Sequence, residues 1–449
     1  MAGKNFFTRR IATPPAALRR LSGSRKTERG TSCFWFRWVV RAAPFALMAG
    51  VLLADLTETL APALHHPAVG YFRPGSDPVA KLDARLKSGA AQLTYDARAG
   101  YLRSVLDLLN VPVESQVAVF SKTSFQASLI HPGNPRTIFF NDSVAVAWMY
   151  GGFIELAAQD PKLGTLFYTL DPARRARPRF ERNDACTRCH QSDESLGIPG
   201  LMARSVFTAP GGEQMLIYGA AFPDHRTPLD RRWGGWYVTG AGAGVRHMGN
   251  TTVVDRDKPE AVMNAEPLAS LQGKFPAARY LSTHSDVAAL LVLDHQTHMS
   301  NLITRMGWEA RVAAQEKRPD YARVLAEGAR EFVDYLLFVE EAPLKGAVNG
   351  TSGFAERFSA QGPRDAKGRS LRQLDLEKRL LKFPCSYMLY SEAFDGMPDD
   401  ARAAIYRRMW AVLSGVEKDR KYARLTAADR TAVVEILRGT KPEVGGYFR

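Results

Sequence analysis

Five consecutive residues, Cys186, Thr187, Arg188, Cys189 and His190, constrain this chain more than any other stretch. Only four cysteines occur in 449 residues, and two of them stand here in the spacing C-x-x-C-H. Two thiols three residues apart, followed at once by an imidazole, suit a covalently attached haem, part of a metal site, or a redox dithiol. Each occupant asks something different of the surrounding chain. A c-type haem takes a thioether bond from each cysteine, and the histidine then lies under the iron as its proximal axial ligand. Structural zinc needs two more ligands. A thioredoxin-like dithiol needs the motif at the start of a helix that follows a buried strand.

The rest of the sequence separates these readings. There is no second C-x-x-C: Cys33 lies near the N-terminus, and Cys385 stands alone in "KFPCSY", where it reads as a buried free thiol. Joining Cys186 and Cys189 to His225 and His247 reproduces no familiar zinc spacing. "PRFERNDA" before the motif and "QSDESLGIPG" after it have poor helical patterning, which disfavours the dithiol. The expectation is one haem c, with Cys186 and Cys189 as its thioether links and His190 as its proximal ligand.

Haem attachment of this kind takes place outside the cytoplasm, and the N-terminus agrees. Residues 1–41 carry ten Lys or Arg and one acid, Glu28. An apolar run, "AAPFALMAGVLLA", follows at residues 42–54. It has the length of a signal h-region and is short for a membrane span. "APA" at 61–63 offers small residues for a cleavage site. Residues 1–63 are therefore expected to be a signal peptide or N-terminal anchor, and the protein periplasmic or exported. An uncleaved anchor would associate it with a membrane. From residue 64 onward 50 basic and 43 acidic residues leave an excess of only +7, a mildly basic surface. No nucleic-acid motif, Walker loop or G-x-G-x-x-G is present, so neither nucleic acid nor a dinucleotide is an expected partner.

The hydrophobic period changes along the chain. "PVAKLDARLKSGAAQLTYDARAGYLRSVLDLLNVP" is helical in spacing, with breaks near Gly89 and Gly100. "QVAVFSKT", "RTIFFND", "VAVAWMYGG", "FIELAAQ" and "TLFYTLD" are short, β-branched and aromatic, with turn residues between them. "SVFTAPGGEQMLIYGAAF" reads as a hairpin closing at Gly211 and Gly212. From about residue 283 the spacing is helical, in "DVAALLVLDHQTHMSNLITRMGWEARVAAQEK", "DYARVLAEGAREFVDYLLFVEE", "SLRQLDLEKRLLKF", "PDDARAAIYRRMWAVLSG" and "TAADRTAVVEILRG". Residues 343–370 are Gly-rich and loop-like. The expected fold class is α+β. A strand-rich, haem-binding middle region over 64–270 precedes a helical region, 271–449, that packs on it.

The far side of the iron decides the chemistry. A second protein ligand favours electron transfer, and an open position admits peroxide or a gas. His295 lies on the spacing Ala288, Val292, His295, Met299, Leu302, Met306, the buried seam of a helix, where an imidazole must find a partner. Met248, beside His247 in the Gly-rich "AGAGVRHMGN", is the other leading candidate for sixth ligand, with Met202 and Met215 behind them. Trp233, Trp236 and Arg232 in "RRWGGWYVTG" are candidates for the haem wall and a propionate partner. If the distal side is open, His298, Asn301 and Arg305 could supply proton transfer and charge.

Seven stretches, "SQVAVFSKTSFQ", "NPRTIFFND", "CTRCH", "RWGGWYVTG", "HMGN", "HQTHMSNLITR" and "FPCSYMLYSEAFDGMP", span about residues 110 to 400. In this order they resemble a poorly characterised family of bacterial exported cytochrome c-like proteins. The resemblance implies haem binding through Cys186, Cys189 and His190. A small cytochrome c is about a hundred residues, mostly helical, with its motif near the N-terminus. Here strand-rich sequence comes first, so that fold is not expected. The expected function is single-electron transfer through the haem to a redox partner protein or respiratory complex. The alternative is a haem enzyme of peroxidase type, or a gas sensor, with an open distal site.

Overall fold

The alternating runs of the middle region pair into one seven-stranded antiparallel sheet. The computed structural model describes residues 64–242, 245–264 and 267–449, so the targeting segment expected over 1–63 lies outside the described residues. The strands are β1 Val117–Val119, β2 Arg136–Phe140, β3 Val144–Trp148, β4 Ile154–Asp160, β5 Gly164–Leu170, β6 Phe180–Arg182 and, after a two-stranded hairpin, β9 Trp236–Tyr237. Their order is β6-β5-β4-β3-β2-β1-β9. The hairpin pairs β7 Ser205–Val206 with β8 Ala220–Ala221, and a bridge between Thr208 and Gln214 closes its turn at Gly211 and Gly212, as the sequence implied.

Successive side chains of a strand point to opposite faces, so each run writes two surfaces. One face carries Ala118, Phe139, Val146, Leu156, Leu166 and Tyr168. It packs against helices α1 Pro78–Ser88 and α2 Leu102–Leu108 through Val79, Leu82, Leu102 and Val105. Asp77 caps α1 by accepting from Val79 N and Ala80 N, and Tyr168 Oη donates to the same carboxylate at 2.6 Å, which ties helix to sheet. The opposite face is uneven. Val117, Val119 and Phe140 join the core of the C-terminal helices. Beside them, Ala145 stands opposite Ala157, and Ala147 opposite Ile138 and Glu155. Three alanines on neighbouring strands leave a shallow floor that, among the described residues, borders a cavity.

Over this face lies the long helix α4 Val287–Gln315. It is buried around most of its circumference, as expected of a central helix in a large core. Asp286 starts it, accepting from Ala288 N and Ala289 N with one oxygen and from Thr351 N and Ser352 N with the other. Helices α5 Tyr321–Leu336, α6 Phe354–Ala360, α7 Glu392–Asp395, α8 Asp399–Leu413 and α9 Ala427–Thr440 complete the helical half. The architecture is α+β. One core cluster runs across the boundary placed near residue 270, joining Trp236 and Val238 to Val287, Leu291 and Phe332. "SLRQLDLEKRLLKF" is not helical: a bridge pairs Leu374 with Leu381, and the Glu341 carboxylate takes the Leu380 N–H at 2.8 Å. The bent backbone sends Leu371, Leu380 and Leu381 into the core, a burial that outweighs helix propensity.

A buried ion pair ties the middle region to α4. Asp294 accepts from Trp233 Nε1 at 3.0 Å and from Arg232 Nη1 at 3.2 Å. Arg232 also donates to the carbonyls of Thr227 and His225. Replacing Arg232 with Leu strands the Asp294 carboxylate, at a cost of about 3–5 kcal/mol. The expected result is a matching loss in urea-unfolding free energy, and a smaller loss in the double variant Arg232→Leu, Asp294→Leu.

Candidate haem site

The C-x-x-C-H motif enters at the edge of the sheet. Asn183 N donates to Phe167 O at 2.9 Å, continuing the pairing of β5 with β6. A 3-10 turn, Asp184–Cys186, then leads into the four-residue helix α3 Thr187–His190. Asn183 Oδ1 accepts from Ala185 N, and Thr187 Oγ1 donates to Asp184 O. Within this single helical stretch the three-residue spacing puts both thiols on one side.

That side lines a cavity of about 410 Å³, inside the roughly 300–1,000 Å³ range of cofactor pockets. Its floor is the alanine face of the sheet: Ile138, Ala145, Ala147, Ala157 and Phe167. Leu201, Met202 and Ala203 form another wall, and Leu293 and Thr297 of α4 a third, with Trp236 beside them.

His190 is held by its own loop. Its Nδ1 lies 3.0 Å from Gly200 O. A carbonyl only accepts, so Nδ1 carries the proton and Nε2 keeps its lone pair. Burial pushes the imidazole pKa down to about 4, so the ring is neutral at ordinary pH. Gly200 N donates back to His190 O at 2.8 Å. Asn301 on α4 then clamps the next residue, accepting from Leu201 N at 3.1 Å and donating to Leu201 O at 2.8 Å. A Cβ on Gly200 would fall 2.2 Å from Asn301 Oδ1, so only glycine lets the clamp close. Metal-binding histidines are oriented by a second hydrogen bond of this kind.

The other occupants fit less well. Burial, with the Glu155 carboxylate adding to it, pushes the Cys186 thiol up to about 11. A redox dithiol needs the opposite, a depressed thiol. Among the described residues no group of three or more His, Cys, Asp or Glu is gathered to hold a metal ion, so the paper combination of Cys186 and Cys189 with His225 and His247 has no counterpart. A haem fits the donors present: two thiols and a neutral imidazole at one apolar cavity. The same walls hold polar atoms that are buried without a hydrogen bond, Ser121 Oγ, Arg136 Nε and Glu155 Oε2.

The predicted outer ligands are placed elsewhere. His295 is fully buried on its seam, as expected, but Leu293 and Thr297 set the cavity face of α4 and His295 lies about 200° from each. Its Nδ1 meets His225 Nδ1 at 2.8 Å, and its Nε2 meets Ser386 Oγ at 2.7 Å. Met248 is buried with Ser205 Oγ 3.7 Å from its sulfur, and does not line the cavity. Neither does Met215, whose backbone pairs with Phe207, whereas Met202 does. Of the candidate wall residues only Trp236 lines it, its indole N–H fixed by Arg204 O at 2.7 Å. Trp233 and Arg232 are spent on Asp294. His298 sits by Arg226, Arg305 pairs with Glu309, and Asn301 is a positioning residue rather than a proton donor. The sequence reading missed Arg136, Glu155 and the alanine floor. The signal was present in "VAVAW" and "IELAAQ", where one face of each strand is large and the other small or charged.

No family model, no curated protein and no solved structure matches the chain.

Three further buried histidines, His225, His247 and His295, and the half-buried His298 bear on stability. Burial pushes His247 and His298 down to about 4 and His295 to about 3, and His225 falls well below its usual value. Unfolded, each titrates near its ordinary value of about 6.5. Between the two values the unfolded chain binds more protons, so stability is full above about pH 6.5 and falls as pH drops toward 4. Urea-unfolding midpoints at about pH 7, 6 and 5 should decline stepwise. A constant midpoint would contradict the assignment.

Proposed function

We propose that this chain is an exported c-type haem protein that holds one haem through Cys186, Cys189 and His190 and passes single electrons through it. The observation that carries the reading is the meeting of the motif with the cavity. Both thiols and the imidazole line one apolar space, and His190 presents an unblocked Nε2. When bound, the haem supplies a one-electron iron centre. The chain's part is to bind and orient it. Gly200 and Asn301 fix the imidazole, the alanine floor and Trp236 offer apolar contact, and Arg204 and Lys122, also in the cavity lining, are the cations available to propionates. Cys189 is exposed, which brings the thioether edge to the surface where an electron can enter from a redox partner protein or respiratory complex. Export is supported by the N-terminal pattern and haem binding by the resemblance to exported cytochrome c-like proteins.

One observation favours an open distal position over a closed carrier: His295 and Met248 stand outside the cavity lining. Among the described residues Met202 is then the one methionine in that lining.

Produced in a host with haem-attachment machinery, the protein should keep its haem colour through denaturing electrophoresis, and Cys186→Ala with Cys189→Ala should abolish it. Asn301→Ala should keep the covalent haem but loosen the imidazole, seen as a shift in reduction potential and spectrum. In the reduced state, carbon monoxide should shift the Soret band. A low-spin spectrum that ignores it identifies a closed carrier, with Met202 the first residue to test.

A further inference from the structure

We infer that Arg136 and Glu155 form a binding site, inside the haem cavity, for a small neutral hydroperoxide. The inference rests on the haem reading above. Arg136 opens β2 and Glu155 lies on β4, and the two side chains meet across Ala147 of the strand between them. Both line the cavity. Arg136 Nε and Glu155 Oε2 approach to 3.0 Å and are largely enclosed, yet neither of these buried atoms makes a hydrogen bond. Among the described residues no other group hydrogen-bonds either side chain. The pair is thus a charged donor and a charged acceptor side by side, with unused capacity, in the cavity wall. The two groups neutralise each other as an ion pair, but a buried donor and acceptor left without hydrogen bonds are costly, which favours an occupant that supplies them.

The chemistry of the pair selects that occupant. An anion drawn by the guanidinium is repelled by the carboxylate. A diatomic gas can accept from Arg136 but has no proton to donate to Glu155. A hydroperoxide uses both: an oxygen accepts from Arg136 while its O–H donates to Glu155, each bond charge-assisted. A haem propionate is excluded by the same carboxylate. The place of the pair is also suitable. Arg136 and Glu155 line the same cavity as Cys186, Cys189 and His190.

The test uses the purified ferric protein with its covalent haem. Fluoride, an anion that only accepts, is titrated optically, and hydrogen peroxide is mixed while the Soret band is followed. Glu155→Gln, which keeps the shape, should tighten fluoride by about tenfold or more by removing the repulsion, and should slow the peroxide response by a similar factor. Arg136→Lys, which keeps the charge but not the planar fork, should weaken fluoride and slow peroxide. Glu327→Gln, on an exposed carboxylate paired with Arg323 and outside the cavity lining, should change neither. The inference is overturned if Glu155→Gln moves both readings by less than about twofold, or if the iron takes neither fluoride nor peroxide in any variant. A wild-type chain without covalent haem overturns the haem reading itself, and is recognised before any ligand is added.

Discussion

The hydrogen bond between His190 Nδ1 and Gly200 O is the contact on which the site depends. It fixes the tautomer, aims Nε2 and closes the loop that carries the motif. It is not local in origin. Gly200 and Leu201 are positioned by Asn301, which reaches them from α4, a hundred residues further along the chain. The helical half therefore holds the loop after the C-x-x-C-H motif in place.

The same helix separates two kinds of interior. Toward the sheet, Leu293 and Thr297 face a space bounded by alanines and by a charged pair without hydrogen bonds. Away from it, His295, His225, Ser386 and Tyr335 close on one another, with the imidazoles of His295 and His225 stacked against Tyr335. The first interior offers volume and unpaired polarity. The second is packed, and its histidines have found partners among themselves, apart from His225 Nε2, which is buried without one. A binding site is expected in the first and structural support in the second.

Much of the fold was legible in the sequence, because periodicity reports burial. "RTIFFND" and "VAVAW" formed strands, the seam through Ala288 and Met306 was buried, and the Gly211–Gly212 turn closed a hairpin. The sequence could not show which partner a buried group takes. His295 was correctly read as buried, and its partners came from residues 225 and 386, distances no spacing rule encodes. Arg232 and Trp233 were legible as a cation beside aromatics, but their carboxylate stood sixty residues away. Arg136 and Glu155 are adjacent only through strand register, so they become visible only once β2, β3 and β4 are paired. "SLRQLDLEKRLLKF" has helical spacing, yet its leucines reach the core from a bent backbone.

The most direct test of the account is mass spectrometry of the protein purified from a host with haem-attachment machinery. The account predicts a chain heavier by one iron porphyrin, with the added mass located on the peptide that contains Cys186 and Cys189. An unmodified peptide carrying two free thiols or a disulfide between them would contradict it.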